Sequence, residues 1–389
     1  MKSPDVLVIG GGVIGCAAAR ELARRGASVG VVERGNPGQE ASGAAAGMLT
    51  ARAYAEPGEP LAELGRAAAE LHPLLVDELR SETGVDPHYS RCGSLRVAGG
   101  PDDARAIAAL AARQERAGWP VERVEGDRLA DLAGVAVAGH GGPALAFPDE
   151  AVVDPRELVR ALRLSAERRG VRFRTGVPAT GLRVESGVCT GVLTPREHFA
   201  AGAVVDAAGS WAGLAGAGFA VPIAPARGQI VELDPGSARP ARVIHRDHFY
   251  LAPREHGRLL AGATLEFVGY DKSVTASGVA GLIGKAVELV PALAGARFVG
   301  AWAGLRPASP DGLPILGATP LPGYFLAAGA FRNGILLAPA VARLIADAVL
   351  GPGPAAPAGI APFMLARFLR GGEAGRDWEF RFTAGNASW

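Results

Sequence analysis

The chain is 389 residues long, enough for two domains or one large discontinuous assembly, and 40 Lys plus Arg against 39 Asp plus Glu leave a formal charge of +1. So small a net charge excludes the global field that would hold a nucleic acid. Hydrophobic residues make up 49% of the chain, which excludes intrinsic disorder, while 55 Gly and 29 Pro imply many tight turns.

Residues 5–9 are a short apolar β run, the segment from Gly10 to Gly15 follows, and residues 16–25 are alanine-rich and helix-prone until Gly26 stops them. Residues 27–32 read as a second strand, so the start of the chain predicts the βαβ unit of an open parallel sheet. Lys2 and the apolar run over 6–19 also mimic a secretory leader, but glycines interrupt that run in a spacing with its own explanation. Residues 61–83 are helical in pattern, 94–98 strand-like and 102–117 helical. Asp154 is an N-cap candidate, with Pro155 at the first helical position and Glu157 three residues after the cap, and that helix is expected to end at Gly170. Strands at 171–174 and 203–206 then resume the βα alternation.

Between residues 227 and 306 the texture changes to short β runs at 228–233, 248–253, 258–263 and 297–303. Residues 254–257 are suited to a hairpin loop, so these runs predict an antiparallel sheet. A strand at 324–328, a turn at 329–334 and a helix at 335–350 return to the first texture, and Pro339 predicts a kink or a late start for that helix. The windows 207–226 and 312–331 are uncharged and long enough for a membrane span, but glycines and prolines break both, so they read as buried loops and short strands. Cys16, Cys92 and Cys189 are odd in number and widely spaced, which fits neither a disulfide framework nor a zinc site and suits a reducing cytoplasm. The seven histidines show no metal spacing.

The expected fold class is therefore α/β. A Rossmann-type nucleotide-binding domain is assembled from residues 1–84, 150–220 and 302–365, an antiparallel-sheet α+β domain is inserted over 85–149 and 221–301, and residues 366–389 form a tail. In Gly10-x-Gly12-x-x-Gly15 the first glycine permits a tight turn, the second lets the backbone approach a pyrophosphate, and the third allows close helix packing. Glu33 ends the second strand, where its carboxylate can accept both ribose hydroxyls of an adenosine; this disfavours NADP, although Arg34 next door keeps that cofactor open. The motif does not separate NAD from FAD. The run from Ser42 through Ala46 and Gly47 to Met48 holds nothing large before Met48, so its amides can lie against a flat ring, the plain alternative being a loop. Phe331-Arg332-Asn333-Gly334 precedes a helix whose positive end can face a flavin pyrimidine edge.

Arg306 is the only charged residue from 298 to 310, and Arg332 the only one from 312 to 342. A guanidinium among apolar neighbours needs an anion, and its planar fork suits a carboxylate; exposure, or pairing with Asp311, is the alternative for each. Tyr250 can lend a hydroxyl to the same carboxylate or serve packing, and His248 is similarly ambiguous.

These residues together resemble the FAD-dependent D-amino-acid oxidase and sarcosine oxidase superfamily, nearest to its ThiO-type glycine oxidase branch. The most specific pieces are Ser42-Gly-Ala-Ala-Ala-Gly-Met48, His248-Phe-Tyr-Leu-Ala-Pro-Arg254, Gly257-Arg-Leu-Leu-Ala-Gly-Ala-Thr264, Trp302-Ala-Gly-Leu-Arg-Pro307, Asp311-Gly312 and Phe331-Arg-Asn-Gly-Ile-Leu-Leu-Ala-Pro-Ala340. The resemblance implies noncovalent FAD held by Gly10, Gly12, Val13, Ile14, Gly15, Glu33, Arg34, Ser42, Ala46, Gly47, Met48, Ala179, Phe331, Asn333, Gly334, Ile335 and Leu336. It also implies that Arg306 pairs with the substrate carboxylate, that Tyr250 assists, that Arg332 lies beside substrate and ring, that His248 and Met48 line the pocket, and that the assembly is a homotetramer or dimer. Ala330 stands where relatives often carry histidine and Leu265 where methionine lines the pocket, which bears on the amines accepted. No cysteine follows Cys189, so the covalent flavin link that the sarcosine-oxidase branch makes through a carboxyl-terminal cysteine is excluded. The implied activity is oxidation of glycine, sarcosine or small D-amino acids by hydride transfer to flavin N5, with oxygen as acceptor and a role in thiamine biosynthesis. The alternatives are a dehydrogenase feeding a quinone or protein acceptor, a regulatory protein that holds FAD without turnover, and an NAD dehydrogenase.

Overall fold

The computed structural model describes residues 3–138, 142–351, 359–369 and 380, so most of the expected tail over 366–389 lies outside the described residues. A six-stranded sheet forms around the Val6–Ile9 strand. On one side this strand pairs in parallel with Val29–Glu33, which pairs with Arg172–Thr175; on the other it pairs with Ala203–Asp206, followed by Tyr324–Ala328. An antiparallel strand, Ile315–Ala318, closes the edge. The strand order reverses at Val6–Ile9, and the crevice beyond the carboxyl ends of strands at such a point is where open α/β sheets bind ligands.

Alternation of side chains along Val6–Ile9 builds two layers on this sheet. Val6 and Val8 pack under the helices Val13–Arg24, Pro155–Arg168 and Gly334–Leu350, while Leu7 and Ile9 face a three-stranded sheet made of Gly181–Glu185, Val188–Leu193 and His198–Ala200. Asp154 caps the second of these helices by accepting from the Arg156 and Glu157 amides, as its spacing suggested. The helix Gly334–Leu350 contains Pro339 in its interior and starts ahead of it, so the late start is not what occurs.

An eight-stranded sheet forms the second core. Its order is Arg297–Ala308, Ala224–Asp234, Leu259–Gly262, Phe249–Pro253, Val243–Arg246, Ser94–Val97, Ala144–Phe147, Glu122–Val124. All pairings are antiparallel except that of Val243–Arg246 with Ser94–Val97. One face packs on the helices Ala276–Leu289 and Asp127–Ala133, and the other carries Ile230, Val243, Tyr250, Ala252 and Leu260 toward Ala46 and Met48. The strand Arg297–Ala308 runs unbroken past residue 302, because Ala224–Asp234 pairs with its whole length. The expected strand start at His248 moves to Phe249, since Asp247, at φ 51°, turns the chain there.

Candidate active site

At the switch point, Gly10 has φ +100°, and a Cβ there would lie 2.6 Å from the Ala207 carbonyl oxygen. Both the left-handed backbone and the strand beside it therefore require glycine. A Cβ on Gly15 would overlap the Gly10 carbonyl, so this residue lets the helix Val13–Arg24 start tight against the turn, three residues earlier than the sequence alone suggested. The first turn of that helix holds no acidic residue, and Val13 donates its amide to Ser42 Oγ at 3.0 Å. Glu33 is fixed from both sides, accepting from the Gly11 amide at 2.7 Å and the Gly35 amide at 2.8 Å. Its remaining lone pairs stay available to vicinal hydroxyls. Arg34 is committed to Glu40 at 2.5 Å and to the Trp211 ring, 3.5 Å from its centroid, so the cation that kept NADP open already has its partners.

The segment after Ser42 is a short helix, Ala41–Ala44, followed by the strand Met48–Leu49, which pairs with Ala151–Val152. The Ala44 carbonyl accepts from the Trp302 indole at 3.0 Å, and Arg254 donates to the carbonyls of Ala46 at 3.2 Å and Val153 at 2.6 Å. These bonds tie the small-residue loop to the eight-stranded sheet.

The roof of the site follows from register. Opposite pairs on one sheet face are Ala226 with Arg306, Gly228 with Gly304, Ile230 with Trp302, Tyr250 with Gly262 and His245 with Tyr250. A Cβ on Gly228 would overlap the Arg306 guanidinium, and one on Gly262 would overlap the Tyr250 phenol. Missing side chains thus make the space in which the two polar groups lie flat across the sheet. Arg306 donates to the Thr264 carbonyl at 3.0 Å and, among the described residues, pairs with no carboxylate. Burial lowers its pKa. The alternative partner, Asp311, is held by Arg367 at 2.7 Å.

Arg332 enters from the turn before the helix Gly334–Leu350. Phe331, at φ 44°, donates its amide to the Pro307 carbonyl at 3.0 Å, so the residues that adjoin the two arginines are bonded to each other. Arg332 is exposed and lines the cavity, and desolvation together with the Arg306 charge lowers its pKa to about 10. Tyr250 is buried and pushed up to about 12 by desolvation, against the pull of both arginines, so its hydroxyl keeps its proton. The first turn of Gly334–Leu350 has neither a side-chain cap nor an acidic residue, which leaves its amides for a ligand.

All these parts surround one cavity of 840 Å³. Its lining includes Gly10, Gly12, Val13, Ile14, Glu33, Arg34, Ser42, Ala46, Gly47, Met48, Ala179, His248, Tyr250, Arg306, Phe331, Arg332, Asn333, Gly334, Ile335 and Leu336. Of the expected site residues only Gly15 is absent from that lining, being packed behind the turn. Sequence reasoning missed Tyr54, Asp206, Trp211, His245 and Thr264, which also line it. Asp206 ends a strand at the switch point and was accessible to that rule; Tyr54 sits in a loop with no local signal. The residues fit FAD: a glycine cradle at one end, an anchored carboxylate for a ribose, a small-residue loop beside the middle, and uncapped helix amides at the far end. Among the described residues no His, Cys, Asp and Glu cluster could hold a metal, and no helix is long and apolar enough to cross a membrane.

Residues 5–348 match the family model described as DAO, FAD dependent oxidoreductase. Glycine oxidase of Geobacillus kaustophilus is 36% identical over 373 residues, covering 94% of this chain and 97% of that protein. The crystal structure of glycine oxidase from that organism superposes with a TM-score of 0.88 at 34% identity, over 94% of this chain and 98% of that one. The bifunctional protein ThiO/ThiG of Synechocystis sp. is 36% identical over 89% of this chain and 51% of its own length. An iminodiacetate oxidase from Chelativorans sp. BNC1 has a TM-score of 0.82 at 28% identity, over 92% of this chain and 98% of that one. With a glycine cradle, a cavity whose lining suits FAD and a family match over most of its length, the chain belongs to the FAD-dependent oxidoreductases of the DAO family.

Proposed function

We propose that this protein oxidises glycine and other small amines, sarcosine and small D-amino acids among them, to the imine, which hydrolyses to glyoxylate and ammonia in the case of glycine. The observation that carries the reading is Arg306, half-buried and without a carboxylate partner among the described residues, on the wall of the cavity that also holds the dinucleotide cradle. FAD bound in this cavity would supply the two-electron acceptor for the Cα hydride, with oxygen taking the electrons as hydrogen peroxide. The rest is placement. Arg306 takes the substrate carboxylate through its free N–H groups while Thr264 fixes its orientation, and the neutral Tyr250 hydroxyl donates to the same carboxylate. The two guanidinium charges disfavour an ammonium beside them, so the pKa of the bound amine falls and no side chain need act as base. Holding the reacting atoms in line can lower the barrier by roughly 7 to 11 kcal/mol. Similarity to a bifunctional ThiO/ThiG protein supports a role in thiazole and thiamine biosynthesis.

The holoenzyme with glycine under air is expected to release peroxide and glyoxylate in equal amounts. Dye reduction under argon with no peroxide under air would replace oxygen by a quinone or protein acceptor. The absence of any turnover in both atmospheres would contradict the reading.

A further inference from the structure

We propose that Arg332 receives a second carboxylate, so that the pocket takes N-carboxymethyl amines, of which iminodiacetate is the simplest. This rests on the amine-oxidising reading and extends it to a substrate class. Glycine or sarcosine brings one negative charge to a wall that presents two guanidinium groups, and the Arg306 charge already contributes to the lowered pKa of Arg332. Among the described residues, no carboxylate on the lining pairs with either arginine. Glu33 accepts from Gly11 and Gly35, and Glu40 is paired with Arg34 and Lys272. Asp206 is bound to Tyr324, Ala208 and Gly213, and the carboxylate of Asp247 lies against Gly99. The remaining carboxylate on the lining, Glu59, sits at the amino-terminal cap position of the helix Pro60–Thr83 and forms no ion pair with either arginine.

The positions of the two cations are also set relative to each other. Pro307, next to Arg306, accepts the amide of Phe331, next to Arg332, and the Phe331 ring is wedged against Ala226, Ala308 and Leu265. Arg332 therefore stands on a braced turn, not on a free loop, and the residue before that turn is the small Ala330, which also lines the cavity. A neighbouring fold at 28% identity is an iminodiacetate oxidase, which shows that this scaffold can accommodate such a molecule.

The chemistry balances with the acceptor already named. The secondary amine of iminodiacetate gives up a Cα hydride to the flavin and its N–H proton to solvent, forming a C=N bond. Water adds across that bond and the C–N bond breaks, yielding glyoxylate and glycine, while oxygen takes the two electrons and becomes hydrogen peroxide. The glycine released is itself a substrate of the proposed reaction.

The test compares iminodiacetate with sarcosine, whose methyl group replaces one carboxymethyl arm, and pairs it with two ligands that have no amine, diglycolate and methoxyacetate. For the holoenzyme, kcat/KM for iminodiacetate is expected to exceed that for sarcosine, and diglycolate to perturb the flavin spectrum at lower concentration than methoxyacetate. In Arg332→Gln the ratio of the two kcat/KM values is expected to fall roughly thirtyfold or more, chiefly through KM, and Arg332→Lys to restore part of it. Retention of the flavin absorbance certifies each variant as folded. A wild-type preference for sarcosine together with equal binding of the two ethers would overturn the proposal, as would an unchanged ratio in Arg332→Gln. If neither amine reduces the flavin, the amine-oxidising reading fails, and the ether comparison still decides whether a second carboxylate binds.

Discussion

Beneath the loop that carries Tyr54 lies the carboxyl group of Glu150, buried, accepting from the amides of Arg52 at 2.6 Å and Ala53 at 3.2 Å and from the Ser94 hydroxyl. Burial outweighs these bonds and raises its pKa from 4.5 to about 7. The folded protein thus holds this proton over a range of pH in which the unfolded chain has lost it, so stability falls as pH rises from about 4.5 to about 7 and is flat above. In Glu150→Gln one amide oxygen can keep the two backbone bonds and the NH₂ can donate to Ser94 in return. That variant is expected to lose the contribution, on the order of 3 kcal/mol across the window, and to melt at higher temperature than wild type at pH 7.5 but not at pH 5. Thermal melts over that range check it, and parallel curves for the two proteins would contradict it. At this scale the sequence was most legible where a residue type had one physical excuse. Arg306 and Arg332 stood out as cations without local counter-charges, and both reach the cavity. Glu150 was not legible, because its burial arises from strands that meet only in the folded sheet.

The amino-terminal turn of the helix Gly334–Leu350 shows how an element absorbs a local misfit. Pro339 has no amide to offer the Ile335 carbonyl, four residues earlier in the helix. His72, fully buried on the helix Pro60–Thr83, points Nε2 at the Leu336 carbonyl, 2.9 Å away, with the Ile335 carbonyl close enough to act on the same ring. Burial lowers its pKa to about 4, so at neutral pH it is an uncharged donor through Nε2. Replacing Pro339 by alanine restores an amide and makes the imidazole bond partly redundant. A double-mutant cycle of His72→Phe and Pro339→Ala, read by denaturant unfolding, is expected to show about 1 kcal/mol of coupling. Additive effects would separate the two residues. The sequence announced a problem at Pro339, to be met by a kink or a late helix start; the late start does not occur, and the donor on His72, 267 residues away in the chain, had no local signal. The hairpin between Gly181–Glu185 and Val188–Leu193 was missed although Ser186-Gly187 is a turn signal, with both residues at positive φ. The three-residue edge strand Glu122–Val124 had no periodicity to read.

For the whole molecule, the βαβ start, the antiparallel middle and the returning helix were legible because each rests on short-range spacing. The assembly of those pieces was less so. The strand at 203–206 joins the first strand, and that at 324–328 joins 203–206, only after long excursions, and the cavity closes only when the eight-stranded sheet lays Arg306 and Tyr250 across its glycine gaps. The central claim is that this roof anchors a substrate carboxylate over the flavin. An anaerobic titration of the holoenzyme with glycine, following the visible flavin band in wild type and in Arg306→Ala, tests it most directly. The wild-type flavin is expected to bleach, and the variant to retain FAD but bind glycine more weakly by roughly 2 to 5 kcal/mol. Equal glycine dependence in the two proteins would contradict the assignment.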